Sequence, residues 1–506
     1  MVTANSISKP CSAQPKRLVI CCDGTWQSAT ALPTQQAATG APSNVAKLSR
    51  VLAGAGTPNA QSDDAGKEYQ QVVYYDAGVG SGDVSMLDRL VQGGSGLGLL
   101  EKVIEAYNFL VLNYTSRADK LYFFGFSRGA FTARACAGLV WEVGILRPSS
   151  VSEFLRLYSA YVTSDNFAIP FAKTEEWKRF VESKNGMHVV KDSGSYQVPV
   201  DVIGVWDTVG ALGVPDVGHL IKIDNSAFRQ QYKFHDVELN PGVKHAFQAL
   251  ALDDRRAPFH PSIWKASATK NPSLDLQQTW FPGVHLNIGG GSDTASSGES
   301  DPQEQLASIT YAWMLDRIRP HLAFDEEELH AQQANWVGAM QPLIAAQIKQ
   351  ADDDRSFPQK LFHWWGGDKH AHGYAMPEIP NNFSEVYKFL GNPTDRIPLS
   401  LTEEDLKAGK YTKESVHFSV DIRRKGLARE DREKGYVPQA MKGWERRSST
   451  IVKGGYEWFK PAGKAGEREK VMPESPPEAS GLPEEDSMEV WLWKKGLASA
   501  QAREAY

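Results

Sequence analysis

The stretch Leu121–Ala130 reads LYFFGFSRGA. A run of apolar and aromatic residues leads into Gly125-Phe126-Ser127-Arg128-Gly129, and an Ala-rich, helix-forming stretch follows at once. Strand, sharp turn and helix are the setting of a G-x-S-x-G nucleophile elbow. Ser127 is expected on a turn tight enough to strain its backbone. Side chains two positions either side would collide with strand and helix, so Gly125 and Gly129 are needed there. The turn lifts the serine hydroxyl above the sheet and sets it at the positive end of the following helix. The five-residue pattern alone is weak evidence; its flanks give it weight.

Working outward, short apolar runs end repeatedly in polar turns. RLVICC (17–22) ends at Asp23-Gly24-Thr25, QVVYY (71–75) at Asp76, and VPVDVIGVW (198–206) at Asp207. A fifth short strand, TWFPGV (279–284), ends at His285 before Gly289-Gly290-Gly291. Helical spacing is read over 44–52, 99–114, 131–146, 303–318 and 326–348, and also over 242–252. Strands alternating with helices predict an α/β fold, a mainly parallel sheet with helices on both faces. Residues 1–15 read as a flexible tail and 16–350 as the catalytic domain. Helical cap insertions are expected at about 150–195 and 214–275. Residues 351–506 read as a mixed C-terminal extension, disordered over about 461–488 because that stretch is rich in Pro, Glu, Lys and Gly. MEVWLWKKGLASAQA (488–502) reads as a short amphipathic helix.

The 506 residues are 41% apolar and 23% charged, as in ordinary globular proteins. A net charge of −6 argues against a nucleic-acid surface. Four cysteines without a C-x-x-C pair argue against a disulfide framework. The polar N-terminus has no apolar core of a secretory signal, and no apolar run is long enough to span a bilayer, so a cytoplasmic protein is expected, with peripheral membrane contact left open. The oligomeric state is not legible.

A serine needs a base, and the base needs a carboxylate to orient it. Functional groups gather at the C-terminal ends of parallel strands. Ser127, Asp207 and His285 sit at such ends in the chain order nucleophile, acid, histidine. His260 is the second choice of base, with His245 behind it; Asp253, Asp254 and Asp216 are alternative acids. Oxyanion donors are expected from the N–H of Arg128 and from Gly24 or Thr25. The D-G-T sequence also suits a phosphatase, but the nucleophilic aspartate of that chemistry is replaced by Cys21. Gly93–Gly98 lacks phosphate-loop spacing. His363, Asp368, His370 and His372 read as an aromatic packing patch rather than a metal site, and neither metal nor cofactor is expected. Phe154, Leu155, Leu157, Tyr158 and Tyr161 read either as an acyl pocket or as the buried face of a helix.

CCDGTW, NVAKL, YYDAGVGSG, AYNFL, GFSRGAFTAR, VWDTVGALG and WFPGVH followed by GGG together resemble an α/β-hydrolase family that includes the catalytic domain of type VI secretion phospholipase effectors of the Tle type. The resemblance covers roughly residues 17–320. It implies an α/β-hydrolase fold, a triad of Ser127, Asp207 and His285, and hydrolysis of carboxylic esters, with lipids and phospholipids among the substrates. The alternative is a non-catalytic interaction protein on the same scaffold.

Overall fold

The computed structural model describes residues 14–24, 41–57, 66–78, 97–163, 171, 174–175, 177–178, 197–209, 239–291, 302–354, 374–377, 379–380, 393–426, 435–450, 452–463 and 468–496. The chain enters through β1 (Lys16–Cys22), α1 (Asn44–Val51), the short β2 (Ala55–Gly56) and β3 (Tyr69–Asp76). Next come α2 (Leu97–Asn113), β4 (Lys120–Phe126), α3 (Ser127–Val143), a 3-10 turn over Pro148–Glu153 and α4 (Phe154–Thr163). Then follow β5 (Val200–Trp206), β6 (Val243–Ala251), β7 (Ala266–Ser267), β8 (Asp275–Phe281) and α5 (His285–Gly289). Two long helices, α6 (Pro302–Ile318) and α7 (Glu326–Asp354), precede α8 (Glu403–Lys407), β9 (Lys410–Tyr411), β10 (Glu414–His417) and α9 (Ser419–Gly426). The chain closes with β11 (Glu445–Ser448), β12 (Tyr456–Lys460), β13 (Lys470–Ser475) and α10 (Met488–Gly496).

One sheet takes the order β11-β12-β13-β10-β8-β6-β5-β4-β1-β3-β2. Every neighbouring pair from β3 to β13 is parallel; β2, β11 and β12 add antiparallel edges. Parallel strands need crossovers, so helices cover both faces. Leu18, Ile20, Leu121 and Phe123 point into a layer shared with α2, α3 and α4. Val19, Cys21, Tyr122 and Phe124 point the other way, into a layer with α1, α6 and α10. The fold is α/β, as the strand–helix alternation predicts. Cys21, Cys22 and Cys136 are free and buried.

Three expectations are corrected. Residues 242–252 are not a helix: Val243–Ala251 form β6, paired with β5 and β8 in the middle of the sheet. The expected cap over 214–275 therefore contains a core strand. The described residues within 461–488 are ordered rather than disordered. Lys470–Ser475 pairs with both β10 and β12, and Pro477–Ser480 forms a 3-10 turn. Arg446 on β11 meets Glu474 on β13 at 2.7 Å, so the charges that suggested disorder are partly used across the sheet. The C-terminal region is accordingly continuous with the sheet of the predicted catalytic domain. Phe154, Leu157, Tyr158 and Tyr161 are buried in the α2–α4 layer, so they are a helix face, while Leu155 is exposed.

No helix among the described residues is long and apolar enough to cross a membrane. Among them, no group of His, Cys, Asp and Glu is arranged to hold a metal ion. Residues 1–13, Thr25, Gly93–Gly96, Asp216, His363, Asp368, His370 and His372 lie outside the described residues.

Candidate active site

The sheet brings Ser127, Asp207 and His285 together at the C-terminal ends of β4, β5 and β8. Ser127 is the first residue of α3, and its φ is +59°. Asp207 follows β5 with φ +41°. Left-handed backbone is unfavourable for both residue types and costs about 1–3 kcal/mol per residue, so packing must hold it in place. The packing at the turn is visible. A Cβ on Gly129 would lie 2.2 Å from the Cys22 carbonyl oxygen, and one on Gly125 would lie 2.6 Å from Ala130 Cα. Only glycine lets α3 start this close to β1.

His285 opens α5. Its Nε2 lies 2.8 Å from Ser127 Oγ, and its Nδ1 lies 2.6 Å from Asp207 Oδ2. With Nδ1–H donating to the Asp207 carboxylate, Nε2 is the lone-pair nitrogen that can accept the serine hydroxyl proton. All three side chains are buried. The imidazole packs between Phe126 and Phe259, with ring centroids 4.7 Å and 4.9 Å away. Burial lowers the pKa of His285 below the usual histidine value; the hydrogen bond and charge of Asp207 oppose this without cancelling it. The ring is therefore neutral near pH 7. The Asp254 carboxylate accepts the His285 backbone N–H at 3.1 Å and is itself paired with Arg256.

Asp207 is held from several sides. Its Oδ1 accepts the Ala251 N–H at 3.0 Å. The buried Arg396 donates Nη1 to Oδ1 at 2.6 Å and Nη2 to Oδ2 at 2.9 Å. Burial pushes the carboxyl up, but the Arg396 charge and the hydrogen bonds from His285 and Arg396 hold it well below the usual carboxylate range. Nothing in the sequence around Arg396, TDRIP, marks it as part of a site.

The donors expected for an oxyanion fare differently. Arg128 lies in the first turn of α3 beside the serine, where backbone N–H groups lack intrahelical acceptors. Gly24 lies beside the nucleophile, where a Cβ on it would sit 3.4 Å from Ser127 Cβ, and its N–H donates to Asp23 Oδ1 at 2.7 Å. Asp23 is buried and takes whatever donors are near, including Ser43 Oγ at 2.6 Å and Tyr75 Oη at 2.7 Å. Burial pushes its carboxyl up to about 6 against those hydrogen bonds. His260 lies close enough to Asp207 and Arg396 to feel their charges, and burial lowers its pKa. His245 contacts Asp275 near the start of β8. Asp253 accepts from Gly283 N–H and Tyr436 Oη.

Residues 16–317 match the model of the catalytic domain of Tle1-like type VI secretion phospholipase effectors. An uncharacterized protein of Saccharomyces cerevisiae is 25% identical over 266 residues, covering 49% of this chain and 32% of its own length. Among solved structures, the Tle1 effector bound to the VgrG spike of the type VI secretion system is 19% identical. The match covers 56% of this chain and 52% of that one, with a TM-score of 0.29. A crystal structure of an uncharacterized protein from Pseudomonas aeruginosa is 16% identical over 62% of this chain and 47% of its own, with a TM-score of 0.34. The chain thus spans about a third to a half of these relatives.

Proposed function

Because the chain belongs to the Tle1-like phospholipase effector family through that family's catalytic domain, we propose that it is a serine hydrolase of lipid carboxylic esters, phospholipids included. The observation that carries the reading is the unbroken relay from Ser127 Oγ through His285 to Asp207, at 2.8 Å and 2.6 Å. Ser127 Oγ attacks the ester carbonyl carbon as His285 Nε2 takes its proton. Negative charge gathers on the carbonyl oxygen and is met by the Arg128 N–H, with Thr25 as the candidate second donor. The tetrahedral species collapses, the C–O bond to the alcohol breaks, and His285 returns the proton to the leaving oxygen. Water then attacks the acyl-serine ester by the same route, releasing the acid and restoring Ser127. Asp207 fixes the imidazole tautomer and stabilises the imidazolium in both halves.

A fluorophosphonate probe should label Ser127 in the folded protein and leave S127A unlabelled. Vesicles of phosphatidylethanolamine and phosphatidylglycerol should release fatty acid with the wild type. Substitution of the serine by alanine should slow turnover by about 10³-fold or more. Because His285 must be neutral to act as base, the acid limb of the rate profile should fall below pH 6.5, the ordinary histidine value. Full esterase activity in S127A would refute the reading.

A further inference from the structure

Arg396 lies beyond the segment that matches the family model, yet its guanidinium reaches the centre of the site. Its side chain is 1% exposed. Four acceptor contacts hold its two terminal nitrogens. Two go to the Asp207 oxygens, one to the Ala251 carbonyl at 2.9 Å and one to the Phe259 carbonyl at 2.7 Å. Asp207 thus receives a fork of two parallel N–H bonds, the geometry that fixes the orientation of a carboxylate plane. That plane sets where Oδ2 meets His285 Nδ1.

We propose that Arg396 is a positioning residue of the hydrolytic site, holding the Asp207 carboxylate in register with His285 from a part of the chain beyond the segment that matches the family model. This rests on the serine-hydrolase reading above. The fork has an electrostatic consequence as well. Paired with a cation, Asp207 offers the imidazolium less net attraction, so Arg396 favours a neutral, proton-accepting His285 at lower pH. The charged groups around His285 are Asp207 after β5, Asp254 and Arg256 after β6, and Arg396; Asp253 and His260 lie on the same post-β6 segment.

The test compares the wild type, R396K and R396Q, all full length. It measures the pH dependence of Ser127 labelling by the fluorophosphonate probe and of p-nitrophenyl acetate turnover, with a melting curve for each protein. R396Q should shift the acid limb upward by about one unit or more and lower kcat/KM at neutral pH by about tenfold or more. R396K keeps the charge but loses the fork; its acid limb should stay within about 0.3 unit of wild type while kcat/KM falls by about tenfold. An R396K protein with wild-type kcat/KM overturns the proposal, whether or not R396Q folds, and so does an R396Q protein with an unmoved acid limb. A wild-type protein that the probe does not label overturns the serine-hydrolase reading instead, which keeps the two failures apart.

Discussion

Ser127 and Asp207 share an unusual property: both hold a left-handed backbone, among five non-glycine residues with positive φ in the described chain. Strain collected at reacting groups is a device for holding geometry that sequence preference alone would not choose. It has a measurable side. S127A and S127G both lose the hydroxyl, yet only glycine escapes the Cβ clash of the left-handed turn. S127G should therefore unfold with a free energy about 1 kcal/mol higher than S127A, reversing the usual order of Gly and Ala at a helical position. Urea unfolding of the two inactive variants reads the difference, and Ala being the more stable of the pair would contradict it. The three relay residues were legible because each ends a strand in the required chain order. Arg396 was not, since its role comes from a fold-level meeting with Asp207 that leaves no local pattern. Asp23 was visible as part of a turn, but its capture of the Gly24 N–H depends on a burial that the sequence does not display.

Among elements, α10 is attached to the body by an acid from a different helix. Asp316 on α6 accepts the N–H groups of Met488 and Glu489 at 2.7 Å and 3.1 Å, and the Ser487 hydroxyl at 2.5 Å. The first turn of α10 is thereby capped by a residue far away in sequence. Burial, with the nearby Glu489 adding to it, pushes the Asp316 carboxyl up to about 7. A carboxyl raised above its unfolded value binds its proton more tightly in the native state. Its contribution to stability is complete below the unfolded value, near pH 4, and is lost as pH rises through about 7. D316A should therefore lower stability by about 1–3 kcal/mol in acid. The difference from wild type in urea unfolding should be larger at pH 5 than at pH 8; equal differences would contradict this capping account. The helix is legible in the sequence as a short amphipathic segment, whereas β6 reads as a helix there. VKHAFQALA carries apolar residues at helical and strand spacings alike, and a strand buried on both faces loses the alternation that would identify it.

For the whole molecule, the sheet does not stop where the recognisable family pattern stops. β10 lies between β8 and β13, with Trp280 Nε1 donating to Glu414 Oε2 at 2.8 Å and Val416 fully buried. The two regions should unfold together. V416A, which removes about two buried carbons, should cost about 2 kcal/mol. Loss of Ser127 labelling and loss of far-UV circular dichroism should move to lower urea by the same amount; separate midpoints would contradict a shared core. The strands β10–β13 escaped sequence reading because they are short and polar. The parallel partners of β10 are distant in the chain, and Pro473 within β13 argues locally against a strand. The placement of Arg396 also sets an order in time. During synthesis the serine, aspartate and histidine leave the ribosome first; the arginine follows after a stretch that takes of the order of ten seconds to make at about 5–20 residues per second. Until it arrives and docks, the nascent chain holds Ser127, Asp207 and His285 without the guanidinium that braces the carboxylate.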